Sequence, residues 1–567
     1  MTTARDETTF EERADQIDEK VLLDETVAED HFDRVHQALV SKGLVLIQGP
    51  RGCGKTHLMR FTALKCQDDA SLPLALYVSF NRYLRLEPLL NHRADAVNIF
   101  QSWVLASIVL EADALASRLK GDPFNFPAFL GAERADFQAI VSQLERQIPL
   151  TEQEHEVVRF LTIQNVVNGI LAMCDHHGRS RAVVLLDDAA LTLTPEYMVE
   201  LFDIIRVLKN PRISPKASVY PGSTEYGPRF HANHEGRTVS AWLPVDSERY
   251  VETMREIANK RYPVADQLRP EVDELLIYAS FGIPRAYLTM LRSYHDSAES
   301  NDQARINSIV QDHNKLRLSE FRSLSQKVPR LETLVSTGEL LFGQAVEAIR
   351  EANDESLERN EKQLILGLET STLTPIVNRM INLVIEAGLL FEYKTEVSHG
   401  AERSYRRFTP HLSALIATRA FSGRSRGNSP RQVVESLRRK STKHPVRRKI
   451  ETLLDQATLE GLRFNLPPCE NCGTRRLSET QLFCHACGRP LVTPSTFDNC
   501  MKTPISSVPG LSDWQIKKLQ DNNISTVGDF VALQDPGTEL RNIKRIGPKR
   551  ASGITDNVNT YVDEFMS

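Results

Sequence analysis

Aromatic residues are scarce, 7% of 567 residues with three Trp (Trp103, Trp242, Trp514), which fits a helix-rich chain better than a β-sandwich. Long apolar runs are also missing: none reaches the roughly 18–20 residues needed to cross a bilayer. The best stretch, Trp103 to Leu110, is followed by Glu111 and Asp113. The N-terminus, MTTARDETTFEERADQIDEK, lacks the basic-then-apolar pattern of a secretion signal. These absences lead us to expect a soluble, cytoplasmic chain with no membrane partner. Four of the eight cysteines (Cys53, Cys66, Cys174, Cys500) are scattered, so a disulfide framework is not expected. The sequence holds no nuclease or protease constellation, and no internal repeat longer than a pair of hairpins near its end.

What is present is ordinary globular composition, 41% hydrophobic and 25% charged, at a length that suggests about three to five domains. The formal charge of −5 is unevenly spread. Residues 1–30 carry eleven acidic and three basic residues, a balance of −8, whereas 421–450 carry ten Arg/Lys against Glu435 alone, a balance of +9. A basic block in an acidic chain points to a local anionic partner.

The run Leu44-Val-Leu-Ile-Gln48 precedes Gly49-Pro50-Arg51-Gly52-Cys53-Gly54-Lys55-Thr56 and a helical stretch. This is GxxxxGK[ST] between a strand and a helix, a loop whose backbone N–H groups wrap phosphates at a helix start. Lys55 would reach the β- and γ-phosphates of ATP, and Thr56 would hold Mg²⁺. Further strands are expected at Leu72–Phe80, Ala182–Leu186 and Ala217–Tyr220, alternating with helices, hence a parallel α/β sheet with ligands at its carboxyl edge. The third strand ends in Asp187-Asp188. Asp187 would hold Mg²⁺ through water, and Asp188 stands where a carboxylate could polarise the attacking water.

With these motifs the chain resembles the AAA+ ATPases and is similar within them to the origin-recognition (ORC/Cdc-type) initiator group. The resemblance spans about residues 20–420. It implies a γ-phosphate sensor at Ser223 or Thr224, in Tyr220-Pro-Gly-Ser223-Thr224, where the group more often has Asn. It implies a lid beginning in Arg255–Pro263 whose Arg285, in Phe281-Gly-Ile-Pro-Arg285, reaches the nucleotide as second sensor. It also implies a homo-oligomer with an arginine finger, Arg229 or Arg237, and a winged helix after the lid. The winged helix would present Ile376–Leu390 to a groove and Lys394, Arg403, Arg406 and Arg407 to phosphates. Protein contact is the other use of such a module.

Cys469-Glu-Asn-Cys472-Gly and, ten residues on, Cys484-His-Ala-Cys487-Gly form two knuckles, a closed structural Zn²⁺ site resembling a zinc ribbon. Finally, Val508-Pro-Gly510-Leu-Ser512 and Ile543-Lys-Arg545-Ile-Gly547-Pro-Lys549-Arg550 resemble tandem helix-hairpin-helix elements, whose Gly turns bind a DNA phosphate through backbone N–H groups. Ser512 and Arg545 stand where the pattern has Gly.

The expected fold is therefore multidomain α/β plus α: an acidic tail (1–20), AAA+ core (21–250), helical lid (251–329), winged helix (330–420), basic linker (421–466), zinc ribbon (467–491) and helix-hairpin-helix domain (492–567). The expected function is ATP-dependent binding of double-stranded DNA, with ATP hydrolysis, at a rate the sequence does not fix, as the release step. Initiators do not usually end in a zinc ribbon and hairpins, which suggests a defence (antiviral) or mobile-element role with a separately encoded effector. The alternatives are a signalling or scaffolding switch whose C-terminal modules bind protein, and a motor that translocates on DNA.

Overall fold

The computed structural model describes residues 14–566 apart from 28–29, 81–82, 88, 189–194, 225, 228, 263–267, 300, 400–402, 423–428, 478–480, 482, 492–495 and 534. Residues 1–13 of the acidic tail, Pro263, Gly400 and the Ser/Gly-rich start of the basic block thus lie outside the described residues.

Near-continuous aliphatic runs become central strands because both of their faces are covered. β1 (Leu44–Gln48), β2 (Leu74–Ser79), β3 (Ala182–Asp187), β4 (Ile213–Val219) and β5 (Gly236–Ser240) form one sheet in the order β2-β3-β4-β1-β5, every pair parallel. Side chains alternate across it: Val183 and Leu185 join one core, Val184 and Leu186 the other. The sequence reading contains four of these strands. The fifth, GRTVS, is a half-buried edge strand without the aliphatic run that marks the others. Because β4 separates β1 from β3, the loops after these three strands open together at the carboxyl edge. Parallel strands interleaved with helices make this an α/β core.

α1 (Lys55–Asp68) starts at the phosphate loop. α2 (Ala96–Ala116) is long and apolar enough by length and composition to cross a bilayer. Here, however, its Phe100, Trp103, Val104 and Ile108 are buried, and it packs on β2 and on the helices Arg134–Glu145 and Pro195–Leu208, the burial of a core helix.

Helices Tyr250–Arg261, Pro270–Ala279, α3 (Pro284–Asp296) and α4 (Asp302–Lys327) cover the stretch expected to form a lid. Next come helix Glu332–Glu358, β6 (Leu366–Glu369), α5 (Pro375–Glu386), and the antiparallel ribbon of β7 (Leu390–His399) and β8 (Arg403–Pro410).

The expected linker 421–466 is corrected by the structure, since from residue 429 onward it is folded. Helix Pro430–Leu437 buries Val433, Val434 and Leu437 and packs on helix Pro270–Ala279. β9 (Val446–Arg448) then pairs with β6, completing a sheet in the order β9-β6-β8-β7. Arg438 forms an ion pair with buried Glu274, and Arg439 donates to Leu357 O at 2.9 Å. Net charge obscured an apolar stripe at helical spacing. At the C-terminal end, α6 (Asp513–Gln520) and α7 (Pro548–Met566) follow the two predicted turns.

Candidate nucleotide site and cysteine cluster

Three glycines bend the loop after β1: Gly49, Gly52 and Gly54 have φ of +154°, +85° and +99°. Gly54 is the N-cap of α1, so the first free N–H groups of that helix point into the loop. Lys55, the first helical residue, is buried and folds back, its Nζ donating to Gly49 O at 2.7 Å and Pro50 O at 3.4 Å. The same Nζ lies 4.1 Å from the centre of the Tyr220 ring, at the end of β4. Burial works against its charge, but Tyr220, Cys53 and the two aspartates outweigh it and hold the pKa above the ordinary lysine value. Thr56 follows in the first turn. Cys53 is buried, its Sγ against Gly49, and burial pushes the thiol pKa up.

β3 delivers the acidic pair. Asp187 is buried; its Oδ2 accepts the Tyr77 hydroxyl at 2.9 Å and its Oδ1 the Asp188 N–H at 3.0 Å. Asp188 sits at φ +50°, a left-handed position that Asp tolerates better than most residues. Burial first, and the neighbouring Asp187 second, push its pKa up to about 7. The site thus offers loop N–H groups, a buried ammonium and a carboxylate pair at one sheet edge, a donor set that suits a nucleotide with Mg²⁺.

The loop after β4 carries the two expected sensors, and both are engaged within the protein. The Ser223 hydroxyl donates to Glu386 Oε1 at 2.6 Å, while Gly222 N–H and Ser223 N–H donate to Glu386 Oε2 at 3.0 and 2.8 Å. Thr224 Oγ1 accepts from Tyr220 N–H at 2.9 Å, closing its own turn. Glu386 is the last residue of α5. A carboxylate there opposes the helix dipole, and that is the signal by which sequence reasoning could have found it.

Before α3, Phe281 and Gly282 are both left-handed, and a Cβ on Gly282 would lie 2.0 Å from Leu243 O, so glycine is required. This turn aims Arg285, at the start of α3, along the loop: its N–H approaches Gly52 O at 3.4 Å. The two candidate fingers lie elsewhere. Arg229 is exposed and pairs with Asp203 at 3.3 Å. Arg237, on β5, is paired with Val45 and donates to Ser41 Oγ at 2.9 Å, at the amino end of the sheet away from the loop.

The expected DNA-facing residues are divided. Arg403 is exposed at the start of β8. Arg406 is half-buried, held by Glu392 at 2.7 Å and by Asn378. Arg407 stacks over Tyr393 and donates to Thr395 O at 2.8 Å. α5, the expected groove reader, buries Val377, Met380, Ile381, Leu383, Val384 and Ile385 in the core and ends on the β4 loop.

Cys469, Cys472, Cys484 and Cys487 bring their Sγ atoms within 4.8 Å of one another. Gly473 and Gly488, both at φ +69°, donate N–H to Cys469 O and Cys484 O at 2.8 Å and close two matching knuckles. Sulfur separations of 3.5 and 3.6 Å are close to the roughly 3.8 Å of a tetrahedron with Zn–S bonds near 2.3 Å. The set therefore suits zinc and leaves no open coordination position.

In the two turns expected to form hairpins, Gly510 at φ +79° and Arg545 at φ +77° hold the same left-handed place. Ser512 caps α6 by accepting Gln515 N–H, while Gly547 precedes α7 and is exposed with Lys549 and Arg550. Arg550 lies over Trp514, linking the two turns.

No family model and no curated protein matches the chain. Among solved structures, it is similar to the Walker-type ATPase of Pyrococcus abyssi, at 13% identity over 70% of this chain and 95% of the other, with a TM-score of 0.36. It is also similar to the Orc1 protein of Aeropyrum pernix in complex with DNA, at 15% identity over 70% and 95%, with a TM-score of 0.30.

Proposed function

We propose that this chain is an ATP-dependent DNA-binding AAA+ ATPase of initiator type, in which ATP binding orders a homo-oligomeric interface or clamps the core on a duplex and hydrolysis releases it. The observation that carries the nucleotide part is the convergence of Lys55, Asp187 and Asp188 at the carboxyl edge of a parallel sheet. Asp187 and Thr56 would hold Mg²⁺, Asp188 would draw a proton from water, and Arg285 would balance phosphate charge. Magnesium supplies charge neutralisation on the phosphates when bound. The DNA part rests on the hairpin turns, where backbone N–H groups and the exposed Lys549 and Arg550 face solvent.

A second reading is favoured by the packing of α5 and the engagement of Arg406 and Arg407. There the nucleotide works a switch whose C-terminal modules bind protein, including a separately encoded effector of a defence or mobile-element system. Fluorescence anisotropy with labelled duplex DNA, with and without ATP, beside Lys55→Ala and across a salt series, separates the two. The clamp reading expects ATP to tighten wild-type binding only, with affinity falling steeply as salt rises. Absence of duplex binding at low salt in every nucleotide state transfers the conclusion to the protein-binding switch.

A further inference from the structure

We propose that Glu386 is a positioning residue through which the winged-helix region reads nucleotide state: its carboxylate and the γ-phosphate are alternative acceptors for the Gly222 N–H, Ser223 N–H and Ser223 hydroxyl. The proposal rests on the ATP reading above.

The contact is built rather than incidental. A Cβ on Gly222 would lie 2.5 Å from Leu383 N, so only glycine lets the β4 loop come this close to α5. Two residues past Glu386, a Cβ on Gly388 would lie 3.2 Å from Pro50 Cβ in the phosphate loop. The end of α5 thus touches both loops that frame the nucleotide, and Lys55 lies over Tyr220 in the chain segment that leads into Gly222 and Ser223. All three donors end on one carboxylate, at 2.6 to 3.0 Å. While they do, Ser223 has no proton to offer a phosphate.

The free carboxylate at a helix C-terminus is itself disfavoured, since the carbonyl end of the helix repels it, and burial raises its pKa. The three donors oppose this without overcoming it. A γ-phosphate carries more charge and more acceptor oxygens than the carboxylate, so it can claim those donors and leave Glu386 buried with only the charge of Arg379 to balance it. The response is for the end of α5 to withdraw from the β4 loop, carrying the ribbon with it. ADP, which has no γ-phosphate, leaves the contact in place.

Hydrogen–deuterium exchange on the full chain, without nucleotide, with ADP and with the slowly hydrolysed analogue ATPγS, reads this directly. ATPγS is expected to raise exchange across 383–388 while 222–223 stay protected, and ADP is expected to change neither. Glu386→Gln keeps the shape but lacks the charge, so ATPγS should bind more tightly by on the order of tenfold, as relief from a charge-assisted set of hydrogen bonds implies. Gly222→Ala, which wedges the two elements apart, should show the raised exchange at 383–388 with no nucleotide at all. A merely structural Glu386 would loosen the variants equally in every nucleotide state. Unchanged exchange at 383–388 in a wild type that binds ATPγS, together with unchanged affinity in Glu386→Gln, overturns the proposal. A wild type that binds no ATPγS overturns the ATP reading itself, and the proposal falls with it.

Discussion

Tyr77 on β2 donates its hydroxyl to Asp187 on β3 at 2.9 Å. The register pairs Tyr77 with Leu185 and Ser79 with Asp187, so Tyr77 and Asp187 are diagonal neighbours on one face of the sheet. Burial and the aspartates push the Tyr77 pKa well above its ordinary value, which keeps the hydroxyl protonated and donating. In the proposed ATPase, Tyr77 orients the carboxylate that holds Mg²⁺. Loss of a residue that orients a metal ligand typically lowers metal affinity or activity about 10- to 100-fold. Tyr77→Phe should therefore shift the Mg²⁺ dependence of ATP turnover to higher concentration, with rates recovering at high Mg²⁺. An unshifted Mg²⁺ titration would remove Tyr77 from the site.

The acidity of Asp188 gives a pH signature. With its pKa at about 7, the group is mostly protonated at pH 5 and mostly ionised at pH 8 in the nucleotide-free protein. A base must be ionised, so kcat/KM for ATP should rise with pH through about 7 and level off above it. Stability runs the other way. A carboxyl whose pKa is raised in the folded state favours folding below its ordinary pKa of about 4, and that contribution is lost as pH rises through about 7. Asp188→Asn, which also tolerates φ +50°, should raise Tm more at pH 8 than at pH 5, where only part of that contribution has been lost. It should reduce turnover about 10²- to 10⁴-fold while ATP still binds. Equal effects on Tm at both pH values would contradict this account.

These two residues mark where the sequence is informative. The phosphate loop and Asp187-Asp188 are legible because the spacing is local and each follows an aliphatic strand. Tyr77 is one aromatic in an aliphatic strand, and its partner lies 110 residues away. Glu386 is further removed still, 163 residues from Ser223, and no local pattern announces such a pairing. β5 is hidden because Arg237 and Thr238 interrupt any apolar run at a sheet edge. In the basic block, charge drew the eye from Val433, Val434 and Leu437, whose 1-and-4 spacing is that of a buried helical face.

The cysteine cluster should behave as a separate metal-dependent unit. Its matching knuckles close on one point, and a segment as short as 467–491 has little apolar surface to hold it without an ion. Mass spectrometry of the native protein should find one zinc per chain. Cys472→Ser or a strong chelator should release it and open 467–491 to proteolysis. Nucleotide affinity should change less than twofold, because the Lys55 site is built from residues 49–388. Retention of protease resistance after full removal of metal would refute a structural role for zinc.

Arg545 allows structure and function in the hairpins to be separated. It occupies the left-handed place that Gly510 holds in the first turn, at φ +77° against +79°. For a residue with a Cβ, that conformation costs about 1–2 kcal/mol relative to glycine. Arg545 O also accepts from Arg550 Nη1 at 2.9 Å, so the turn backbone is already braced and does not need the Arg545 side chain. Arg545→Gly should therefore stabilise the C-terminal domain by about 1 kcal/mol, read as an upward shift of its unfolding transition. If the turn serves only protein contact or packing, duplex affinity will be the same in the two proteins at every salt concentration. If the exposed guanidinium meets a phosphate, the variant will be more stable yet bind duplex less tightly, and the slope of log affinity against log salt will fall by about one. A variant that is less stable than wild type would show that the arginine side chain, not the turn geometry, holds this hairpin.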